Sequence, residues 1–199
     1  EEKRIGIAIA GSHGKTTTTA LTAYLLKKAG CDPTYVIGGV SRDLGGNAAE
    51  GKGDYFVAEA DESDGSFLAL SPTYSIVTNM DAEHLEYYGS LEKSLEAYRV
   101  FLNKTKKGGK IFVSSDCPQT SQVLKKVRPL PVATFGHSRG GNYFPDRIER
   151  RGDHSFFDCI AHVKKSGRFR LNLPGLHNIA NALGVIALAD ELRLPLSIV

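Results

Sequence analysis

The sequence lacks the features that mark membrane, secreted and nucleic-acid-binding proteins. No apolar run approaches the ~20 residues that a membrane-spanning helix needs, and the first ten residues do not form a secretory signal. The 25 basic and 22 acidic residues are spread along the chain without a basic block. We therefore expect neither nucleic acid nor a membrane as a partner. The apolar fraction of 41% is enough for a folded core.

Cysteine is scarce as well. Cys31, Cys117 and Cys159 are odd in number and far apart, which argues against a disulfide framework. Their scarcity favours a reducing compartment, so we expect a cytoplasmic protein with three structural thiols.

Both ends of the chain look cut. Residues 1–4 run directly into an apolar segment, and residues 195–199 stop without a polar tail. A length of 199 residues suits one domain. We expect residues 1–199 to be one domain excised from a longer chain.

Short apolar runs alternate with helical segments over the first two thirds of the chain. The predicted strands cover residues 5–10, 55–58, 74–78 and 110–114, and the predicted helices cover 16–29, 91–103 and 119–127. A final helix is predicted at 178–192, near the end of the chain. Such alternation is typical of an α/β fold whose parallel sheet is covered by helices on both faces.

The pattern changes between residues 144 and 173. Gly152-Asp153 and Ser166-Gly167 are turn signals, and β-rich runs lie between them. This segment predicts an antiparallel meander. The expected fold is therefore a doubly wound, mostly parallel α/β sheet with a small antiparallel β extension.

The segment between the first strand and the first helix predicts a phosphate-binding loop. The usual motif is G-x-x-x-x-G-K-[ST]; here Gly14, Lys15 and Thr16 complete it, but Ile9 stands where its first glycine belongs. Backbone amides at a helix start attract phosphate. Lys15 would reach the β- and γ-phosphates and Thr16 would ligate Mg²⁺. The alternative is a chance Gly-Lys-Thr at a helix start. The residues predicted to contact nucleotide are Gly11, Ser12, His13, Gly14, Lys15, Thr16 and Thr17.

A carboxylate at the end of a neighbouring strand would complete a Mg²⁺–nucleotide site. Glu59 follows the strand at 55–58 directly and is our predicted metal ligand. The same run, "EADESD", also offers Asp61, Glu62 and Asp64. For these three, the alternative is a solvated acidic loop or a helix start.

Two further groups remain ambiguous on spacing alone. His84 follows the third predicted strand and is either a structural residue or a ligand, although Mg²⁺ prefers oxygen. Asn178 and Asn181 share one face of the last helix. Their side-chain amides either form hydrogen bonds with the edge of an adenine base or cap the start of the helix.

Four segments together resemble the central, ATP-binding domain of the Mur ligase family. They are "GSHGKTTTT" at 11–19, "EADESDGSF" at 59–67, "TNMDAEHLEYYG" at 78–89 and "LPGLHNIANAL" at 173–183. The resemblance covers about Ile5 to Leu194. In that family the phosphate-binding loop usually lacks the first glycine of the motif, as it does here. It implies that Lys15, Glu59 and His84 are catalytic. Thr16, Glu59 and His84 would bind Mg²⁺, and Asn178 and Asn181 would meet ATP.

The resemblance also implies a reaction, in which L-alanine is joined to the lactyl carboxylate of UDP-N-acetylmuramate through an acyl phosphate, with ATP and Mg²⁺. Several relatives carry a carbamylated lysine where this chain has Arg99, which favours the alanine-adding branch. Gly38-Gly39 and Asn47 are expected on a loop along the substrate path. The family's N-terminal domain for the UDP-sugar and its C-terminal domain for the amino acid are not in this sequence. The chain alone should therefore not complete ligation.

Three other interpretations stay open. The first is a Mur-type ligase with a different acceptor, such as a peptide. The second is a P-loop nucleotide hydrolase or kinase of another class. The third is a nucleotide-binding module that serves only as an interaction domain.

Overall fold

Ten strands form one sheet in the computed structural model, which describes residues 4–195. The strands are β1 (Ile5–Ala10), β2 (Thr34–Ser41), β3 (Gly46–Ala49), β4 (Tyr55–Glu59), β5 (Tyr74–Val77), β6 (Lys110–Ser114), β7 (Val132–Phe135), β8 (Tyr143–Arg151), β9 (His154–Ala161) and β10 (Lys164–Leu171). The helices are α1 (Lys15–Lys28), α2 (Leu85–Tyr88), α3 (Leu91–Asn103), α4 (Thr120–Leu124) and α5 (Leu176–Glu191), with a 3₁₀ turn at Ser66–Ala69.

The sheet has a parallel centre and antiparallel ends. Its order is β10-β9-β8-β7-β6-β5-β1-β4-β2-β3. Strands β2, β4, β1, β5, β6, β7 and β8 pair in parallel, whereas β8-β9-β10 and β2-β3 pair antiparallel. The predicted mostly parallel sheet with an antiparallel β extension is confirmed.

Strand β1 lies at the centre of the sheet and is buried on both faces. Ile7 and Ile9 belong to the core formed with α1 and α5, whereas Ala8 and Ala10 belong to the core formed with α3. Successive side chains of a strand point to opposite faces. A strand covered on both faces therefore reads as the unbroken apolar run seen in the sequence.

The sheet curls around α1 and α5. Residues of β2 and of β10, which lie near its opposite ends, line the same cavity of about 420 Å³ beside α1. Among residues 4–195, no helix is long and apolar enough to cross a membrane. All three cysteines are free thiols.

Two predictions about glycine-containing segments are wrong. Gly38, Gly39 and Asn47 do not lie on a loop, because they belong to β2 and β3. Ser166-Gly167 is not a turn either. It lies in β10 at an irregularity of register, and the actual turn is His162-Val163, where both residues have positive φ. His adopts this conformation more often than most residues, but a β-branched residue such as Val163 rarely does, so the pair is a weak sequence signal for a turn.

Candidate active site

The loop between β1 and α1 is held from behind by the residues that follow β5. The Thr78 hydroxyl donates to the carbonyl of His13 at 2.6 Å. The Asn79 amide group donates to the same carbonyl at 3.0 Å and accepts from the His13 amide at 2.8 Å. These bonds fix the backbone of the loop, with its amides at the carboxyl edge of the sheet.

The first turn of α1 offers unpaired backbone donors. Within residues 4–195, the amides of Gly14, Lys15, Thr16 and Thr17 donate no hydrogen bond, and the first intrahelical bond runs from Thr18 to the Gly14 carbonyl at 2.9 Å. Such amides carry partial positive charge and bind anions readily. The loop therefore fits a phosphate group.

Two glycines bring the loop close to its neighbours. Gly11 has a φ of 134°, and a Cβ there would lie 2.1 Å from the Thr78 hydroxyl. Gly14 has a φ of 80°, and a Cβ there would lie 2.5 Å from Oδ1 of Asn181. Both positions combine a backbone conformation that favours glycine with no room for a side chain.

Lys15 points back into its own loop. Its Nζ donates to the carbonyls of Gly11 at 2.7 Å and Ser12 at 3.3 Å, and it lies 2.9 Å from both carboxylate oxygens of Glu62. The Glu62 residue is only 2% exposed. Glu62 is therefore not the solvated acidic residue or helix start that the sequence offered as its alternative.

Thr16 and Glu59 lie together, as the sequence predicted. The Thr16 hydroxyl donates to Oε1 of Glu59 at 2.9 Å, and the Gly38 amide donates to Oε2 at 2.6 Å. A Cβ on Gly38 would lie 2.7 to 2.9 Å from the carboxylate atoms, so only glycine leaves this space. A hydroxyl and a carboxylate are oxygen ligands of the kind that Mg²⁺ prefers, so these residues fit such an ion.

His84 lies beside Glu62. Its Nε2 is 3.7 Å from Oε1 of Glu62, and it adopts a φ of 54° at the start of α2. Glu62, Glu83 and His84 offer ligand atoms that all lie within 4.8 Å of one another. In the described part of the chain, no hydrogen bond or ion pair joins His84 to Glu59.

Asn181 faces the loop, whereas Asn178 stabilises the start of α5. Asn181 is 6% exposed and lies against Gly14. The Asn178 side chain donates to the Pro174 carbonyl at 2.7 Å. Asn181 also lines a cleft of about 620 Å³, together with His13, Gly14 and residues that follow β5, β6 and β7.

A comparison of the whole sequence with known protein families agrees with the geometry of this site. Residues 9–189 match the family described as the Mur ligase middle domain. The chain belongs to the Mur ligase family.

Individual Mur ligases are similar to nearly all of this chain. The UDP-N-acetylmuramate–L-alanine ligase of Anaeromyxobacter sp. (strain Fw109-5) is 46% identical over 192 residues, which are 96% of this chain and 42% of the relative. The crystal structure of UDP-N-acetylmuramate-alanine ligase MurC from Thermotoga maritima has a TM-score of 0.86 at 34% identity, covering 99% of this chain and 44% of that one.

A peptide-adding Mur ligase is similar in structure too. The UDP-N-acetylmuramate:L-alanyl-gamma-D-glutamyl-meso-diaminopimelate ligase from Neisseria meningitides has a TM-score of 0.85 at 28% identity, covering 96% of this chain and 62% of that one.

The chain spans less than half the length of the curated ligases it matches, 42% of one and 41% of another.

The 620 Å³ cleft contains polar residues that the sequence analysis missed. Asp116 follows β6 and lines the 620 Å³ cleft with His137. Its carboxylate accepts from the amides of His137 at 2.6 Å and Ser138 at 3.0 Å. Burial acts to raise the pKa of Asp116, but these hydrogen bonds outweigh it and keep the pKa below its ordinary value. Asp116 lies two residues after the parallel strand β6, and this position is the sequence signal that could have identified it as a site residue.

Proposed function

We propose that this chain is the ATP-binding middle domain of a ligase that joins L-alanine to the lactyl carboxylate of UDP-N-acetylmuramate. The observation that carries the proposal is the pairing of Thr16 with Glu59 beside the amides of residues 14–17, which have no acceptor within residues 4–195. The similarity to alanine-adding Mur ligases supports the choice of substrates. Residues 1–199 would supply the nucleotide site, and the sugar nucleotide and amino acid would be bound by the rest of a full-length protein.

The chemistry explains why such a site is needed. A carboxylate is a poor electrophile because oxide would have to leave. When bound, ATP supplies the phosphoryl group that turns the carboxylate into an acyl phosphate, and Mg²⁺ neutralises charge on the phosphates. Attack by the amine of alanine then forms the amide bond and releases phosphate.

The residues of this chain would position the substrates and neutralise charge on the phosphates, and would not themselves form bonds to the substrates. The amides of Gly14, Lys15, Thr16 and Thr17 and the Lys15 ammonium would balance charge on the transferring phosphoryl group. Thr16 and Glu59 would hold one Mg²⁺. His84 would bind a second cation with Glu62 and Glu83 beside it.

The test uses the natural full-length protein with ATP, Mg²⁺, UDP-N-acetylmuramate and L-alanine. We expect UDP-N-acetylmuramoyl-L-alanine, ADP and phosphate in equal amounts, measured by mass spectrometry and phosphate release. Residues 1–199 alone should give no ligation product. Product only when a peptide replaces alanine would assign the chain to a peptide-adding ligase, and ATP hydrolysis without either acceptor would reject the ligase proposal.

The Gly38→Ala variant tests how the metal carboxylate is held. An added Cβ would displace the Glu59 carboxylate, because it would lie 2.7 Å from Oε1. Loss of a group that orients a metal ligand typically costs about 10–100-fold in metal affinity. We expect the Mg²⁺ concentration for half-maximal ligation to rise by at least about tenfold, within that range.

The matched control is Gly46→Ala in the neighbouring strand β3, where the nearest atom to an added Cβ is 3.9 Å away. This control should keep the Mg²⁺ dependence of the unmodified enzyme. Equal Mg²⁺ dependence in both variants would show that the Gly38–Glu59 contact does not position a metal ligand.

The compartment is a further proposal. All three thiols are free, and burial raises the pKa of Cys159 to about 12, which keeps this thiol protonated and unreactive. Free thiols are usual in reducing surroundings, which supports a place in the cytoplasm.

A further inference from the structure

The hydrogen bonds of Lys15 use its whole donor capacity. A protonated lysine has three N–H groups. In this structure its acceptors are the carbonyls of Gly11 and Ser12 and the carboxylate of Glu62. A phosphate oxygen can therefore bind Nζ only by replacing one of these three acceptors.

The two loop carbonyls are poor candidates for replacement. Each belongs to a backbone that other bonds hold: the Gly11 φ of 134° lets the loop pass close to Thr78, and the Ser12 amide donates to the Asn79 carbonyl at 3.3 Å. Moving either carbonyl would deform the loop that receives the phosphate. The Glu62 carboxylate is the only one of the three acceptors that belongs to a side chain, so Lys15 can leave it without a change in the loop backbone.

Glu62 is nevertheless attached firmly at its backbone. The Tyr88 hydroxyl donates to the Glu62 carbonyl, and the Gly65 amide donates to the same atom at 3.1 Å. The side chain is 3% exposed, and its Oε2 lies 2.9 Å from Nζ although no donor points at it with hydrogen-bond geometry. This oxygen thus presents a buried negative charge to Lys15 without a bond of its own.

From these contacts we infer that Glu62 is a positioning residue that holds the Lys15 ammonium until phosphates arrive and competes with them for it. The inference rests on the proposed nucleotide site and adds a role for a residue outside the Thr16–Glu59 pair. After the exchange, Glu62 keeps a second neighbour, because His84 Nε2 lies 3.7 Å from Oε1. The carboxylate therefore retains a polar neighbour when Lys15 moves to the nucleotide.

The Glu62→Gln variant tests the competition, with Mg–ADP as the probe in calorimetry on the natural full-length protein. The amide keeps the shape of the side chain but removes its charge, and charge-assisted hydrogen bonds are roughly twice as strong as neutral ones. We expect Mg–ADP to bind about five- to tenfold more tightly, where tenfold corresponds to about 1.4 kcal/mol. A residue with only a structural role would give unchanged or weaker binding, and that result would overturn the inference.

Glu92→Gln is the matched control. It makes the same change in an exposed carboxylate of the first turn of α3, and Glu92 makes no ion pair with Lys15 among the described residues. Its affinity for Mg–ADP should change by less than about twofold, a span of roughly 0.4 kcal/mol. If Mg–ADP bound more tightly to both variants by the same factor, the effect would come from the loss of any negative charge on the protein. That result would also overturn the inference.

A second measurement needs no nucleotide. The rate at which Lys15 is acetylated by acetic anhydride, followed by peptide mass spectrometry, reports how firmly its amine is held. We expect a rise of several-fold in Glu62→Gln, while Lys110, which pairs with Glu191 at 2.7 Å, keeps its rate. An unchanged Lys15 rate overturns the positioning role, whereas failure of the unmodified protein to bind Mg–ADP defeats the proposed nucleotide site instead.

Discussion

Replacing Lys15 by methionine is expected to lower the ligation rate by about 10²–10³-fold, the usual cost of removing one donor from a developing charge. The change should also destabilise the fold, because the buried Glu62 carboxylate would lose its lysine partner and keep only His84 at 3.7 Å. Breaking a buried ion pair in this way costs about 3–5 kcal/mol. Urea unfolding and steady-state ligation would measure the two effects separately.

The double variant Lys15→Met/Glu62→Gln separates stability from function. It removes both charges, so most of the lost free energy of unfolding should return, while ligation stays as low as in Lys15→Met. Recovery of ligation in the double variant would mean that Lys15 serves only to neutralise Glu62. Full stability in Lys15→Met alone would mean that the pair is not buried in solution.

Replacing Gly14 by alanine is expected to weaken Mg–ATP binding by about 100-fold, which corresponds to about 2.8 kcal/mol. Two strains add at this position. The φ of 80° is unfavourable for alanine, and the new Cβ would lie 2.5 Å from Oδ1 of Asn181. The loop must shift to relieve the overlap, and its amides shift with it. Calorimetry with Mg–ATP measures the effect.

Gly45 offers a matched control for the backbone strain. It has the same φ of 80°, but nothing lies within 4 Å of the place that a Cβ would take there. Gly45→Ala should cost about 1–2 kcal/mol of stability, the usual penalty for a left-handed residue, and leave Mg–ATP affinity unchanged. Because Asn181 is itself predicted to meet ATP, the effect of Gly14→Ala is also measured in the Asn181→Ala background, where we expect it to be smaller. An equal effect in both backgrounds would assign it wholly to the backbone.

The parallel centre of the sheet could be predicted because its signals are local. Strands β1 and β6 and helix α3 begin and end where the sequence analysis placed them. In α3, Ser90 accepts a hydrogen bond from the Lys93 amide at the helix start, which is a capping pattern that the sequence displays. Strands β2 and β7 were missed. Gly38-Gly39 interrupts the apolar pattern of β2, and β7 is only four residues long after Pro131.

The candidate site also contains some residues that could be predicted from the sequence and others that could not. The phosphate loop and Glu59 follow from motif and strand order, and the structure brings Thr16 and Glu59 together. The burial of Glu62 does not follow from either, because its partner Lys15 lies 47 positions away in the sequence. An acidic run looks solvated until the fold supplies a cation. The metal and catalytic roles of Lys15, Glu59 and His84 stay predictions. Lys15→Met addresses the role of Lys15, and Gly38→Ala addresses that of Glu59.

The contact between Gly14 and Asn181 joins the first helix of the described chain to the last. A ribosome makes the phosphate loop early but does not make its facing wall until α5 has been synthesised. A nascent chain that ends before α5 therefore has the glycines of the loop without the residue that packs against them. ATP in the cell can stabilise only the form that it binds. It should therefore act on this domain after α5 has docked, where it stabilises the completed fold and has no part in the early steps of folding.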